Sequence, residues 1–315
     1  MEYLARPVGW FVSSLSRTMP LQADFFKPMQ GSWYISPAQH GFELLIVTGI
    51  FYLIFSFQHQ ACLSSWVIYL NFPLRVNSLS FNLFCRSPEW KLLALYDNTQ
   101  PMTLLEKAMS YSALTSWFLI LVYKGLRSDL ISMLQPCHVN LMVLIFILNF
   151  PKKYTLPHFV FNVFTHGIWG TLLAISAPDL RGYDMLLEVE NFWFEHYLLL
   201  FAPFLLMFTD RYVLWPPSFA VGILSYSFNA LYNVPFLSSI ALLTGLNVNY
   251  TLSPPPGILE SFGTYYRIVS IGFLCVISLI LRFTFTELGR LLVIRSKDYY
   301  SSVMARLSKG ARVNQ

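Results

Sequence analysis

Apolar stretches of roughly bilayer length recur along this sequence, and that recurrence narrows the folds open to it more than any other feature. A helix that crosses a membrane needs about 20 mostly apolar residues. Stretches close to that fall at Phe42–Phe57, Lys107–Tyr123, Pro136–Phe150, His158–Ser176, Phe192–Phe208, Phe219–Leu243 and Tyr266–Phe285. Only 12% of the 315 residues are charged and 55% are hydrophobic, with a mean hydropathy of +0.52. Such a chain lacks the charged surface that a soluble globule of this size carries. The fold class expected is all-α: a polytopic integral membrane protein with about seven transmembrane helices. The 18 prolines and 17% aromatic residues fit helices that are broken in places and anchored at the interfaces by Trp and Tyr.

The membrane domain is expected over residues 41–290. An interfacial arm at 1–40, where aromatics mix with Arg6, Arg17 and Lys27, precedes it, and a basic cytosolic tail at 291–315 follows. The apolar run Cys62–Phe72, broken by Pro73, reads as an interfacial or re-entrant loop. No basic segment, short apolar run and small-residue cleavage site open the sequence, so no removable signal peptide is expected. The Lys and Arg balance favours a cytosolic C-terminus, which places the acceptor sequon Asn249-Tyr250-Thr251 in the lumen. The net charge of +5 comes from residues between apolar segments and in the tail. That distribution suits a membrane surface and not nucleic acid. The four cysteines, Cys62, Cys85, Cys137 and Cys275, lack the paired close spacing of a disulfide framework or a zinc site, so neither a metal nor any other cofactor is expected.

Chemistry concentrates where a polar residue stands at a shallow depth in an apolar helix. Gln135-Pro136-Cys137-His138 opens the third helix, with Pro at the favoured first position and free amides that stabilise a thiolate. From Cys137 to Lys152 is roughly 22 Å of helix at 1.5 Å per residue, which leaves about 8 Å of a 30 Å core. The thiol is therefore expected just under one interface, near the depth of phospholipid ester carbonyls. His196 lies roughly 9 Å into the fifth helix, and odd-numbered helices start on the same side. Cys137 and His196 thus share a leaflet, as a nucleophile and its base would. The plainer alternatives are a packing role for Cys137 and a polar link between helices for His196.

Five further residues carry weaker signals. His138 follows Cys137 directly and is expected to point away from the thiol, leaving it a supporting role. His166, about 18 Å from the outer end of its helix, is placed below the site as a second supporting group. Arg267, behind Tyr265 and Tyr266, is a candidate ligand for a lipid phosphate, or else an interfacial anchor. Glu43 and Glu195 are acids within apolar helices, and Glu43 is close enough to a helix end to be hydrated. The sequence holds no Gly-rich phosphate loop, no G-x-S-x-G elbow and no H-E-x-x-H pair.

Several strings in this order and spacing resemble the transmembrane protein 164 family. They are Gln135-Pro136-Cys137-His138-Val139, Leu187-Glu188 with Glu195-His196-Tyr197, Leu243-Thr244 with Asn247-Val248-Asn249, and Tyr265-Tyr266-Arg267-Ile268, spanning about Lys124 to Leu281. The resemblance implies a cysteine-centred acyltransferase of the endoplasmic reticulum membrane. Such an enzyme moves polyunsaturated acyl chains from phosphatidylcholine onto lyso-ether phospholipids. By the same resemblance Cys137 is the nucleophile, His196 a candidate base and His166 a further membrane histidine. Gln135 stands in place of an Asn and Asn233 in place of a His.

The expectation is ping-pong transacylation through a Cys137 thioester, with phospholipid and lysophospholipid as partners and no cofactor. Two alternatives stay open: a lipid hydrolase, and a lipid-binding or scrambling protein without covalent chemistry.

Overall fold

The computed structural model describes residues 39, 41–54, 56, 101–212, 214, 215, 217, 219–244, 246–255 and 257–313. Nearly all of the expected N-terminal arm, and the whole Cys62–Phe72 run, lie outside them. The described residues form helices and no strand: α1 (Gly41–Ile54), α2 (Leu104–Leu126), α3 (Pro136–Asn149), α4 (Thr155–His166), α5 (Ile168–Ser176), α6 (Glu188–Phe208), α7 (Phe219–Leu231), α8 (Ser238–Thr244), α9 (Tyr266–Leu281) and α10 (Glu287–Val313).

Local chemistry sets the helix ends. Thr103 and Glu106 form a capping box on α2: the Thr103 hydroxyl accepts from the Glu106 amide at 3.2 Å, and the Glu106 carboxylate accepts from the Thr103 amide at 2.8 Å. Two of the free first-turn amides are thereby satisfied. Pro136 stands at the first position of α3, where its missing N–H costs nothing. Gly167 separates α4 from α5, its amide folding back to the Phe164 carbonyl at 2.9 Å. A π-helical turn, Tyr232–Leu237, carries Pro235 and joins α7 to α8, and a second, Arg282–Thr286, joins α9 to α10.

The core lies where α2, α3, α4 and α6 meet. Leu141, Leu144 and Leu148 on α3 recur at i, i+3 and i+7, and Leu199, Ala202 and Leu206 on α6 do the same; all are buried. The two stripes face each other and Phe161, with Ala113 of α2 allowing close approach. A buried ion pair, Arg211 to Glu106 at 2.5 Å, ties the end of α6 to the start of α2.

Three helical runs are long and apolar enough to cross a membrane: Leu156–Ser176, Glu188–Phe208 and Glu260–Ser302. The other expected spans are helical but fall short of that standard, so the structure does not establish a count of about seven. α3 has 14 residues, roughly 21 Å against a 30 Å core. α2 carries Glu106, Lys107 and Lys124, and the run from α7 to α8 is interrupted at Pro235. The C-terminal end also differs from expectation. The helix does not stop near Phe285 but continues as α10 to Val313. No proline breaks this stretch, and Glu287 pairs with Arg290 one turn on.

Candidate functional site

The N-terminus of α3 and the third turn of α6 bring Cys137, His138, Glu195 and His196 together. Gln135, in extended backbone, precedes α3, and the first helical hydrogen bond runs from the Val139 amide to its carbonyl at 3.1 Å. The Cys137 and His138 amides therefore have no carbonyl acceptor within the helix. The Gln135 side chain does not cap the helix. Its Oε1 instead lies 4.0 Å from Cys137 Sγ, within reach of the thiol proton.

His138 Nδ1 stands 3.6 Å from Cys137 Sγ and 3.0 Å from Glu195 Oε1. This corrects the expectation that His138 points away from the thiol. Adjacent residues of a first turn diverge at Cβ, but the Glu195 carboxylate on the facing helix draws the imidazole back across Cys137. His138 and Glu195 are buried and Cys137 is half-buried.

His196 lies near Cys137, within electrostatic reach of the thiol. Its Nδ1–H donates to the Phe192 carbonyl at 2.7 Å, which fixes the tautomer and leaves the Nε2 lone pair free. The His196 ring also lies over Phe192, with centroids 4.1 Å apart.

The loop between α5 and α6 closes over this group. Tyr183 reaches the electrostatic neighbourhood of Cys137 and Glu195, and burial raises its phenol above the ordinary range. Tyr183 also packs edge-on against Phe192. Arg127 pairs with both Asp184 and Glu188, while the Tyr123 hydroxyl donates to the Leu186 carbonyl at 2.9 Å. These contacts hold Leu187 at φ +63, a left-handed conformation uncommon outside glycine, as the chain turns into α6. On the other side the Tyr232 hydroxyl donates to the Leu134 carbonyl at 2.6 Å, placing the π turn after α7 beside Cys137.

The remaining sequence candidates lie elsewhere. The His166 Nδ1–H donates to the Asn162 carbonyl at 2.8 Å, and the ring borders Gly222 and Arg282. It hydrogen-bonds to no member of the Cys137 group. Arg267 is buried, with Nε on Glu43 Oε2 at 2.5 Å and Nη1 on the Thr251 carbonyl at 2.9 Å. Its guanidinium is turned inward, away from the expected role of lipid-phosphate ligand, and Glu43 is its buried partner and not a hydrated acid. Asn233 accepts from Asn249 Nδ2 at 2.6 Å. Sequence reasoning did not anticipate Glu195 as the partner of His138, or Tyr183 and Tyr232 as flanking groups. An acid beside a histidine inside an apolar helix was the available signal.

The donor atoms of Cys137, His138 and Glu195 lie within 4.8 Å of one another, a spacing that can also hold a metal ion.

The fold and this cluster define a helical membrane protein with a Cys-His-Glu-His group at the mouth of its central helices. Residues 34–285 match the TMEM164 family, and the chain belongs to that family. It is 28% identical over 209 residues to the "Transmembrane protein 164 homolog" of Dictyostelium discoideum, which covers 65% of this chain and 72% of the relative. No solved structure matches the chain.

Proposed function

We propose that the protein is a phospholipid transacylase in which Cys137 carries the acyl chain as a thioester. The observation that carries this reading is the position of Cys137 Sγ beside His138 Nδ1, itself bound to Glu195, with His196 within electrostatic reach of the thiol.

Each group has a role that its geometry permits. The Nε2 of His196 takes the thiol proton, because its Nδ1–H is held by the Phe192 carbonyl. His138, oriented by Glu195, stabilises the thiolate. The thiolate attacks the carbonyl carbon of a phospholipid ester, and the free amides of Cys137 and His138 face the developing oxyanion. As the C–O bond breaks, the leaving lysophospholipid oxygen receives the proton from His196, and an acyl thioester remains on Cys137. A second lysophospholipid then gives its hydroxyl proton to His196 and attacks the thioester, and the proton returns to the thiolate. The thioester retains the activation of the donor ester, so no cofactor is consumed. The Nε2 of His138, buried without a protein partner, is a polar atom left for substrate. Burial under the Tyr183 loop favours a lipid alcohol over water as acceptor.

The family resemblance supports the finer terms: phosphatidylcholine as donor, polyunsaturated chains, lyso-ether phospholipid as acceptor, and the endoplasmic reticulum membrane as location. The test is transfer from phosphatidylcholine labelled in its acyl chain to a lyso-ether acceptor in proteoliposomes. Transfer that needs the acceptor and is lost in Cys137→Ser is the expected result. Free fatty acid released without acceptor identifies a hydrolase, and transfer retained in Cys137→Ser removes the proposal.

The metal-ligand spacing favours a second reading. A metal held by Cys137, His138 and Glu195 would supply Lewis-acid chemistry and occupy the thiolate. A stoichiometric metal content that disappears in Cys137→Ser would select it over the thioester.

A further inference from the structure

Several buried side-chain atoms without a hydrogen-bond partner gather around a single residue far from Cys137. They are Nε and Nη1 of Arg282, Oγ1 of Thr286 and Nε2 of His166. Arg282 is 1% exposed, Thr286 0% and His166 5%. Arg282 and Thr286 are the two ends of the π-helical turn between α9 and α10. α4, which ends in His166, packs against that turn, and His166 lies within electrostatic reach of Arg282.

Arg282 has an ion-pair partner, Glu287, but only at long range. Its nearest carboxylate oxygen, Glu287 Oε2, lies 3.7 Å from Nη1. The Glu287 oxygens are instead bound to Arg290 Nε at 2.8 and 2.9 Å, and to Arg290 Nη2 at 2.5 Å. Among the described residues, the one hydrogen bond Arg282 makes is from Nη2 to the Trp215 carbonyl, at 2.7 Å. A buried guanidinium in an apolar helix is costly unless an anion meets it, and π turns often mark functional positions.

Position points to the source of that anion. Arg282 lies roughly 22 Å along the helix from Arg267, most of the way across a roughly 30 Å hydrocarbon core. Its partner Trp215 belongs to the connection that follows α6, whereas the Cys137 group sits near the beginning of α6. Arg282 is therefore toward the opposite end of the fold, on the side of the other leaflet.

We propose that Arg282, Thr286 and His166 form a receptor for the phosphate of a membrane phospholipid in the leaflet opposite Cys137. Arg282 supplies the charge and two free donor positions, and Thr286 supplies a hydroxyl. His166, with its Nδ1–H committed to Asn162, offers the Nε2 lone pair to a head-group hydroxyl. The receptor is independent of the thiol chemistry.

The test is native mass spectrometry of the full-length protein in detergent, titrated with phosphatidylglycerol and, in parallel, with inorganic phosphate. One retained phosphatidylglycerol per chain is expected, with no comparable gain in thermal midpoint from inorganic phosphate. Arg290→Gln frees Glu287 to neutralise Arg282 and weakens retention by about tenfold or more, and Thr286→Val weakens it by several-fold. Arg282→Gln abolishes it, and the other two variants carry the test if that protein fails to fold. Equal retention in Arg290→Gln and Thr286→Val overturns the proposal, as does a wild-type protein that binds no lipid because water alone fills the cluster. Equal stabilisation by inorganic phosphate overturns the lipid as source of the anion.

Discussion

An oxygen of Glu195 lies 3.0 Å from Nδ1 of His138 although the two residues stand on different helices, α6 and α3. The contact is buried on both sides. It fixes the imidazole beside Cys137 and joins the two helices at the depth where the thiol sits. In the proposed reaction His138 therefore acts through its orientation, and Glu195 is a positioning residue.

Glu195→Gln keeps the shape of that contact and removes its charge. Acyl transfer should fall by about a hundredfold, within the range that a positioned acid-base group contributes, while the thermal midpoint stays close to wild type. Steady-state transfer rates in detergent micelles give the comparison, and a change of less than about twofold would remove His138 from the mechanism.

Glu43 and Arg267 make a second pair that can be broken from one side. Both are buried, and the Arg267 Nε bonds to Glu43 at 2.5 Å. Glu43→Ala strands a buried cation and should cost about 3–5 kcal/mol. A chemical-denaturation midpoint reports that loss. An unchanged midpoint would mean that Arg267 finds its counter-ion elsewhere.

Gly289 lies against the Phe204 ring, where an added Cβ would meet Cε1 at 2.0 Å. Gly289→Ala should destabilise the junction of α6 and α10 by about 1–3 kcal/mol. Phe204→Leu should recover part of this in the double variant. Additive losses would show that the two sites do not share the strain.

Acid should loosen the loop between α5 and α6 only at low pH. The Arg181 guanidinium holds the Asp179 carboxyl well below the usual carboxylate range, and the Tyr250 hydroxyl donates to the same group at 2.5 Å. A depressed folded-state pKa gives stability that is complete above the unfolded value, about 3.9. It is lost as pH falls through the lower folded value. Hydrogen exchange across residues 177–187, corrected for intrinsic rates, should be flat from pH 7 to about 4 and rise below that. Asp179→Asn should show the raised exchange already at pH 7.

The apolar stretches made the helices legible, because length and hydropathy are local properties. α3 begins at Pro136 and α6 closes near Phe208, as expected from sequence. The number of spans was less legible. Whether a short helix such as α3 crosses a membrane depends on its neighbours as well as on its composition. At the site, counting residues along helices placed Cys137 and His196 at one depth, and the structure brings them within electrostatic reach of each other. Counting could not show how side chains bend in space. His138 turns toward the thiol because Glu195 waits on another helix, and Arg267 turns inward because Glu43 does. Long-range ion pairs of this kind leave no periodic trace in a sequence.

In the proposed reaction everything turns on Cys137 carrying the acyl chain. The most direct test is the intact mass of the purified protein after incubation with phosphatidylcholine in the absence of acceptor. The expected result is an added acyl mass on Cys137, removed by hydroxylamine and discharged by a lysophospholipid. A protein that binds the lipid and shows no adduct under these conditions would contradict it.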